Sequence, residues 1–99
     1  MKVYIVHKFE TYDSTSENYS YVGAFRTKAA ALRIIRAEIA SDIDANFEAS
    51  DEERPENFDE IIKKATEDAF AAGERDGFHN AILYYGDFTA YYDITVTNV

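Results

Sequence analysis

The stretch that decides the fold is AILYYGDFTAYYDITVT, residues 81–97. Gly86 and Asp87 separate two strand-like runs, and Gly at the first central position favours a type II′ turn. From Phe88 to Thr97 apolar and polar residues alternate, which is the period of a β-strand. The stretch therefore predicts an antiparallel hairpin at the C-terminal end of the chain.

The N-terminal region predicts a second hairpin. Strands are expected over Lys2 to Glu10 and Tyr19 to Arg26, joined by the polar loop 11–18. Apolar side chains alternate with polar ones along the first strand and predict one apolar face, made of Val3, Ile5 and Phe9. Val6 is expected on the opposite face.

Two helices are predicted between the hairpins. Thr27 is a suitable N-cap for a helix from Lys28 to about Glu48. Its apolar stripe is Leu32, Ile35, Ile39, Ile43 and Phe47. Pro55 interrupts the pattern, Asn57 and Glu60 have the form of a capping pair, and Gly73 is a natural C-cap for a second helix. The second stripe is Phe58, Ile61, Ile62, Ala65, Ala69 and Ala72.

The element order is therefore β-β-α-α-β-β, which belongs to the α+β class. With 99 residues the chain makes one domain, residues 1–99. The economical architecture is a four-stranded antiparallel sheet with two helices packed on one face. The sequence leaves the order of the strands open.

Composition limits the cellular compartments in which we expect the chain and the chemistry that it can support. The chain has no cysteine, so disulfides, thiolate metal sites and thiol catalysis are excluded. No stretch reaches the ~20 apolar residues of a membrane span, and the N-terminus does not have the form of a secretory signal. We expect a soluble cytoplasmic protein with no membrane association.

The residues that support catalysis are few. His7 and His79 are the two side chains that ordinarily titrate near neutral pH, and His7 is expected at the edge of the sheet. The four glycines are scattered and form no phosphate-binding loop, and no serine lies in a nucleophile motif. We expect no enzymatic activity and no cofactor. An enzyme with an acidic pocket around either histidine is the minor alternative.

One segment carries a metal-type pattern. Residues 42–53, DIDANFEASDEE, resemble a calcium loop of the EF-hand family. The ligand-type positions are Asp42, Asp44, Asn46, Ser50 and Glu53. Phe47 occupies the sixth position, where the loop needs Gly, and both Ile43 and Phe47 continue the helical stripe. We therefore expect no metal site here.

Acidic residues are concentrated in one part of the chain. The formal net charge is −9, and residues 38–76 hold 14 Asp and Glu against 4 Lys and Arg. Such a field favours a basic partner and disfavours direct binding to nucleic acid. The candidate partner-binding residues are Asp42, Asp44, Glu48, Asp51, Glu52, Glu53, Glu56, Asp59, Glu60, Glu67 and Asp68. The alternative is a solvated surface that serves solubility.

Small size, absence of cysteine and strong acidity resemble the small acidic inhibitors encoded by phages and mobile elements. Among these are DNA-mimic proteins of the anti-restriction and anti-CRISPR type. The resemblance is compositional and implies a non-enzymatic inhibitor. Its carboxylates would imitate nucleic-acid phosphates and block a basic nucleic-acid-binding protein.

The tyrosines indicate a second surface. All eight lie outside residues 38–76. The predicted hairpin pairs Tyr85 with Phe88, Leu83 with Ala90 and Ala81 with Tyr92 on one face. If the helices cover that face, the open face holds Ile82, Tyr84 and Tyr91, beside Tyr4 and Val6. This surface predicts a structural or homodimeric module as the alternative function.

Overall fold

The fold comes from a computed structural model, which describes residues 1–12, 16–49, 53–75, 80–85 and 88–99. Residues 12, 16, 47–49, 74, 75, 80–85 and 88 are described by their backbone alone. The elements are β1 (Lys2–Tyr12), β2 (Ser16–Phe25), α1 (Lys28–Ala49), α2 (Phe58–Arg75), β3 (Asn80–Tyr85) and β4 (Phe88–Asn98). The predicted α+β class, with two helices and an antiparallel sheet, is confirmed.

The strands pair in the order β2-β1-β4-β3, so the two long strands β1 and β4 form the centre of the sheet. They run antiparallel, with Val6 opposite Ile94 and Lys8 opposite Tyr92. The β1–β2 register shifts between Val6 and His7, which leaves Val22 as an extra residue in β2. The chain termini meet beside β1 and β4, since the Met1 amino group donates to the Val99 carbonyl oxygen at 2.9 Å.

Helix α1 begins where the sequence predicts. Thr27 Oγ1 accepts a hydrogen bond from the Ala30 backbone N–H at 3.1 Å, which satisfies one donor that the first turn leaves free. The helix then presents Ala31, Ile35, Ile39 and Ile43 to the sheet, and all four are buried. Ile35, Ile39 and Ile43 of the predicted stripe are therefore confirmed in the core, Leu32 is half-buried, and the side chain of Phe47 lies outside the described ones.

The sheet contributes Val6, Ala90, Tyr92 and Ile94 to the same core. Ala90 and Tyr92 therefore face α1, as expected for the C-terminal hairpin. The face predicted for β1 was wrong: Val6 is fully buried and Tyr4 packs against the core, while Val3, Ile5 and Phe9 lie on the other face. Both faces of β1 carry apolar residues, so alternation alone could not select between them.

Helix α2 packs on α1 and beside β3. Its buried residues are Phe58, Thr66, Phe70 and Gly73, whereas Ile61 is exposed. Gly73 is not a C-cap, because α2 continues to Arg75. The Asn57 backbone carbonyl, rather than its side chain, accepts the N–H groups of Glu60 and Ile61 at 3.1 Å each. Within the described ranges, neither helix is both long and apolar enough to cross a membrane.

Candidate functional site: internally paired and free acids

A lysine enclosed by acids lies between the sheet and α1. Lys8 Nζ donates to Asp42 Oδ1 at 2.6 Å and lies 3.5 Å from Glu10 Oε1. A third carboxylate, on Glu38, approaches the same Nζ at 4.0 Å. The side chains of Lys8 and Asp42 are 10% and 13% exposed, so this pair is largely removed from water.

Tyr92 completes this cluster from β4. Its hydroxyl donates a short hydrogen bond to Asp42 Oδ2, so both carboxylate oxygens of Asp42 are engaged within the chain. Lys8 Nζ also lies 5.5 Å from the centre of the Tyr92 ring. Burial raises the pKa of Tyr92 well above its ordinary value, and the hydrogen bond to the Asp42 carboxylate raises it further.

The cluster fixes α1 to the two central strands. Both oxygens of Asp42, which the sequence placed among the candidate contact residues, are therefore engaged within the chain. Asp42 does not begin a calcium loop, because residues 42–49 are helical and Asn46 Nδ2 bonds back to the Asp42 carbonyl at 2.8 Å. Within the described residues, no group of three or more His, Asp or Glu side chains is arranged to hold a metal ion.

Three further candidate acids are paired with bases of the chain itself. Asp44 Oδ1 lies 2.9 Å from Arg54, whose guanidinium covers the ring of the buried Phe58 at 4.4 Å. Glu67 lies 3.3 Å from Arg36, and Asp68 lies 3.3 Å from Lys64 one helical turn earlier. The side chains in these pairs are at least 41% exposed, so the pairs contribute little to stability, but they reduce the charge that each carboxylate presents.

The remaining described acids of this set form what we call the free-acid surface: Glu53, Glu56, Asp59 and Glu60. All four are exposed, and none lies within 4.0 Å of a basic group in the described part of the chain. They follow one another along the connection between the helices and the first turn of α2. The structure thus divides the described candidate acids into internally paired ones and a free set that follows this connection.

Several predicted residues fall outside this description. Asp51 and Glu52 lie outside the described residues, as does His79, and Glu48 is described by its backbone alone. Ile82 and Tyr84 are also described by their backbone alone. In the strand register Ile82 pairs with Tyr91 and Tyr84 pairs with Thr89.

The open face of the sheet differs from the predicted one. His7 stacks on Tyr19 with ring centres 5.2 Å apart and meets the edge of Tyr21 at 6.1 Å. Phe9 and Tyr91 are neighbours on this face, with ring centres 6.3 Å apart. We call the set His7, Phe9, Tyr19, Tyr21 and Tyr91 the aromatic face.

Sequence reasoning missed most of this surface because it assigned the wrong face of β1 to the core. His7 was expected at a sheet edge, yet β1 lies between β2 and β4. The pairing of His7 with Tyr21 and of Phe9 with Tyr19 gathers these rings. The apolar stripe of α1 gave no signal that could have corrected this, because it can be matched to either face of β1.

Comparison with known proteins supplies no relative for this arrangement. No family model, no curated protein and no solved structure matches the chain.

Proposed function

We propose that the protein is a non-enzymatic inhibitor that places its free-acid surface in the basic nucleic-acid-binding groove of a partner protein. The observation that supports the proposal is the exposure of Glu53, Glu56, Asp59 and Glu60 without a basic partner in the described part of the chain. Other described acids of the same run are paired within the chain.

Carboxylates can take the place of phosphates in such a groove. Both are anionic acceptors that bind the forked N–H donors of arginine, and both are attracted over a distance by a positive surface. With a net charge of −9, the chain is repelled by bare nucleic acid and attracted by the groove that binds nucleic acid. Its surface would therefore compete with DNA or RNA for the same arginines and lysines.

The dipole of helix α2 explains the position of part of the free-acid surface. Asp59 and Glu60 lie in the first turn of α2, where the helix dipole stabilises acids by about 0.3–1 kcal/mol each. Glu53 and Glu56 precede the helix and gain less from that dipole. These two exposed residues, which precede the helix, support a binding role most strongly.

The compositional resemblance to phage and mobile-element inhibitors indicates which partner to test first. Nucleases of restriction and CRISPR systems hold DNA or guide RNA in basic channels. An anti-restriction or anti-CRISPR inhibitor is the function we favour within this class.

Displacement from immobilised DNA tests the proposal. A bacterial lysate is bound to DNA-cellulose at about 0.1 M salt, where nucleic-acid contacts are still strong, and eluted with the purified protein. The wild type is expected to displace a discrete set of DNA-binding proteins. The variant Glu53→Gln/Glu56→Gln/Asp59→Asn should displace at least tenfold less.

A matched control separates the site from bulk charge. Glu17→Gln/Glu67→Gln/Asp68→Asn removes the same three charges, from −9 to −6, at exposed positions outside the free-acid surface. It should elute the same proteins as the wild type. Equal losses of displacement in both variants would show that displacement depends only on net charge. No displacement by the wild type would contradict the proposed function.

A further inference from the structure

The face of the sheet opposite α1 carries rings that the fold itself leaves uncovered. Tyr19 and Tyr21 are 63% and 64% exposed, and both contact the ring of His7. Phe9 and Tyr91 extend the same surface across the central strands. Exposed aromatic residues of this kind are enriched at protein–protein interfaces.

Two polar atoms on this face also lack partners. Nδ1 of His7 and Oδ1 of Asp93 are buried and lie 3.8 Å apart, which is too long for a hydrogen bond. Neither atom makes a hydrogen bond within the described part of the chain. Both atoms are already enclosed by the fold, so they belong to the interior of the sheet and are not open to a covering surface.

We infer that the aromatic face is a dimer interface and that its occupant is a second copy of this chain. A second copy offers the same exposed tyrosine rings, so the face can pair with itself about a two-fold axis with rings against rings. Two such sheets would pack about 10 Å apart, which gives four layers in the order α-β-β-α.

The area of the whole sheet face reaches the lower limit of a specific dimer interface. The strands contain between 6 and 11 residues, and a strand residue covers roughly 3.3 by 4.8 Å of sheet, so the face measures about 600 Å². Two copies would together bury about 1,200 Å², without counting the extra area of protruding side chains. This value is the lower limit of specific interfaces.

The distribution of charge permits this arrangement despite the net charge of −9 on each chain. The described charged groups of the face are Glu17, Asp93 and, when protonated, His7. The free-acid surface belongs to the connection and to α2, which packs on α1 rather than on the aromatic face. A sheet-to-sheet dimer therefore keeps both acidic surfaces on its outer layers.

Light scattering coupled to size-exclusion chromatography tests the dimer. At roughly 100 µM chain, a concentration that populates even a dimer with a micromolar dissociation constant, the wild type should elute at twice the 11.3 kDa chain mass. The variant Tyr19→Asp/Tyr21→Asp should elute as a monomer with an unchanged circular dichroism spectrum. The control Arg33→Gln/Lys63→Gln makes the same change in net charge on exposed helical positions and should remain dimeric.

A second variant keeps the test decisive if the double substitution does not fold. Thr95→Arg alters an exposed residue of β4 on the same face and should also produce a monomer. A monomeric wild type, or dimers that survive both changes to this face, would overturn the inference. The dimer does not depend on the proposed inhibitor function, so failure of one leaves the other standing.

Discussion

Lys8 on the central strand β1 donates a 2.6 Å hydrogen bond to Asp42 on α1, 34 residues further along the chain. Through this bond Asp42, a member of the acidic run, holds α1 to the sheet. The Tyr92 hydroxyl on β4 donates to the other oxygen of the same carboxylate, so the side chain of Asp42 joins β1, β4 and α1.

We expect Asp42→Ala to lower the free energy of unfolding by about 3 kcal/mol, because it leaves the Lys8 charge and the Tyr92 hydroxyl without their main acceptor. Asp44→Ala removes an acid of the same helix whose ion pair is half exposed, and should lower it by less than about 1 kcal/mol. Urea denaturation at neutral pH measures both values. Similar losses for the two variants would show that the Lys8 cluster does not hold the fold.

Alkaline pH should weaken the protein through Tyr92. Its native pKa is raised, so above its ordinary pKa of 10.0 the unfolded chain releases the phenolic proton while the native state retains it. Stability should therefore be intact below about pH 10 and fall as the pH rises further. Denaturation curves between about pH 9 and 11 should show a smaller decline for Tyr92→Phe than for the wild type. Parallel declines would contradict this role.

The two isoleucines Ile39 and Ile61 provide a matched pair for the core. Ile39 on α1 is fully buried against the sheet, and Ile61 on α2 is 45% exposed. Ile39→Ala should lower the free energy of unfolding by about 3 kcal/mol through lost contacts and a cavity. Ile61→Ala should lower it by less than about 1 kcal/mol. Guanidinium denaturation compares them, and a larger loss at Ile61 would argue against this orientation of α2.

These assignments show where sequence reasoning was sufficient. The 3.6-residue spacing of Ile35, Ile39 and Ile43 predicted the buried stripe of α1, because a helix has one apolar face and this one lies on a sheet. The two-residue spacing at Gly86-Asp87 also predicted the pairs Leu83 with Ala90 and Ala81 with Tyr92, which are the pairs found between β3 and β4. In both cases the local pattern and the tertiary packing agree.

Other features depend on contacts between distant residues and leave no local signal. The alternation along β1 predicts that Lys8 faces solvent. In the structure Lys8 is buried because Asp42, Glu10 and Glu38 surround it. Gly73 has the propensity of a C-cap, yet it lies buried inside α2. Composition revealed the acidic excess but could not divide it into paired and free carboxylates.

Salt should act in opposite directions on the two proposed interactions. Screening weakens the attraction between the free-acid surface and a basic groove, and it also weakens the repulsion between two chains of charge −9. Between about 0.02 and 0.2 M salt, displacement from DNA-cellulose should therefore fall while the dimer dissociation constant falls or stays constant. Sedimentation velocity follows the dimer, and dissociation of the dimer as salt rises would contradict its assignment to the aromatic face.

The most direct test of the central claim identifies the carboxylates that touch the partner. A carbodiimide joins carboxylates to lysines that contact them, so it is applied to the complex with a protein displaced from DNA-cellulose, and the products are mapped by mass spectrometry. We predict cross-links at Glu53, Glu56, Asp59 or Glu60 that DNA suppresses. Cross-links confined to Glu17, Glu67 or Asp68, or cross-links that persist in excess DNA, would contradict the account.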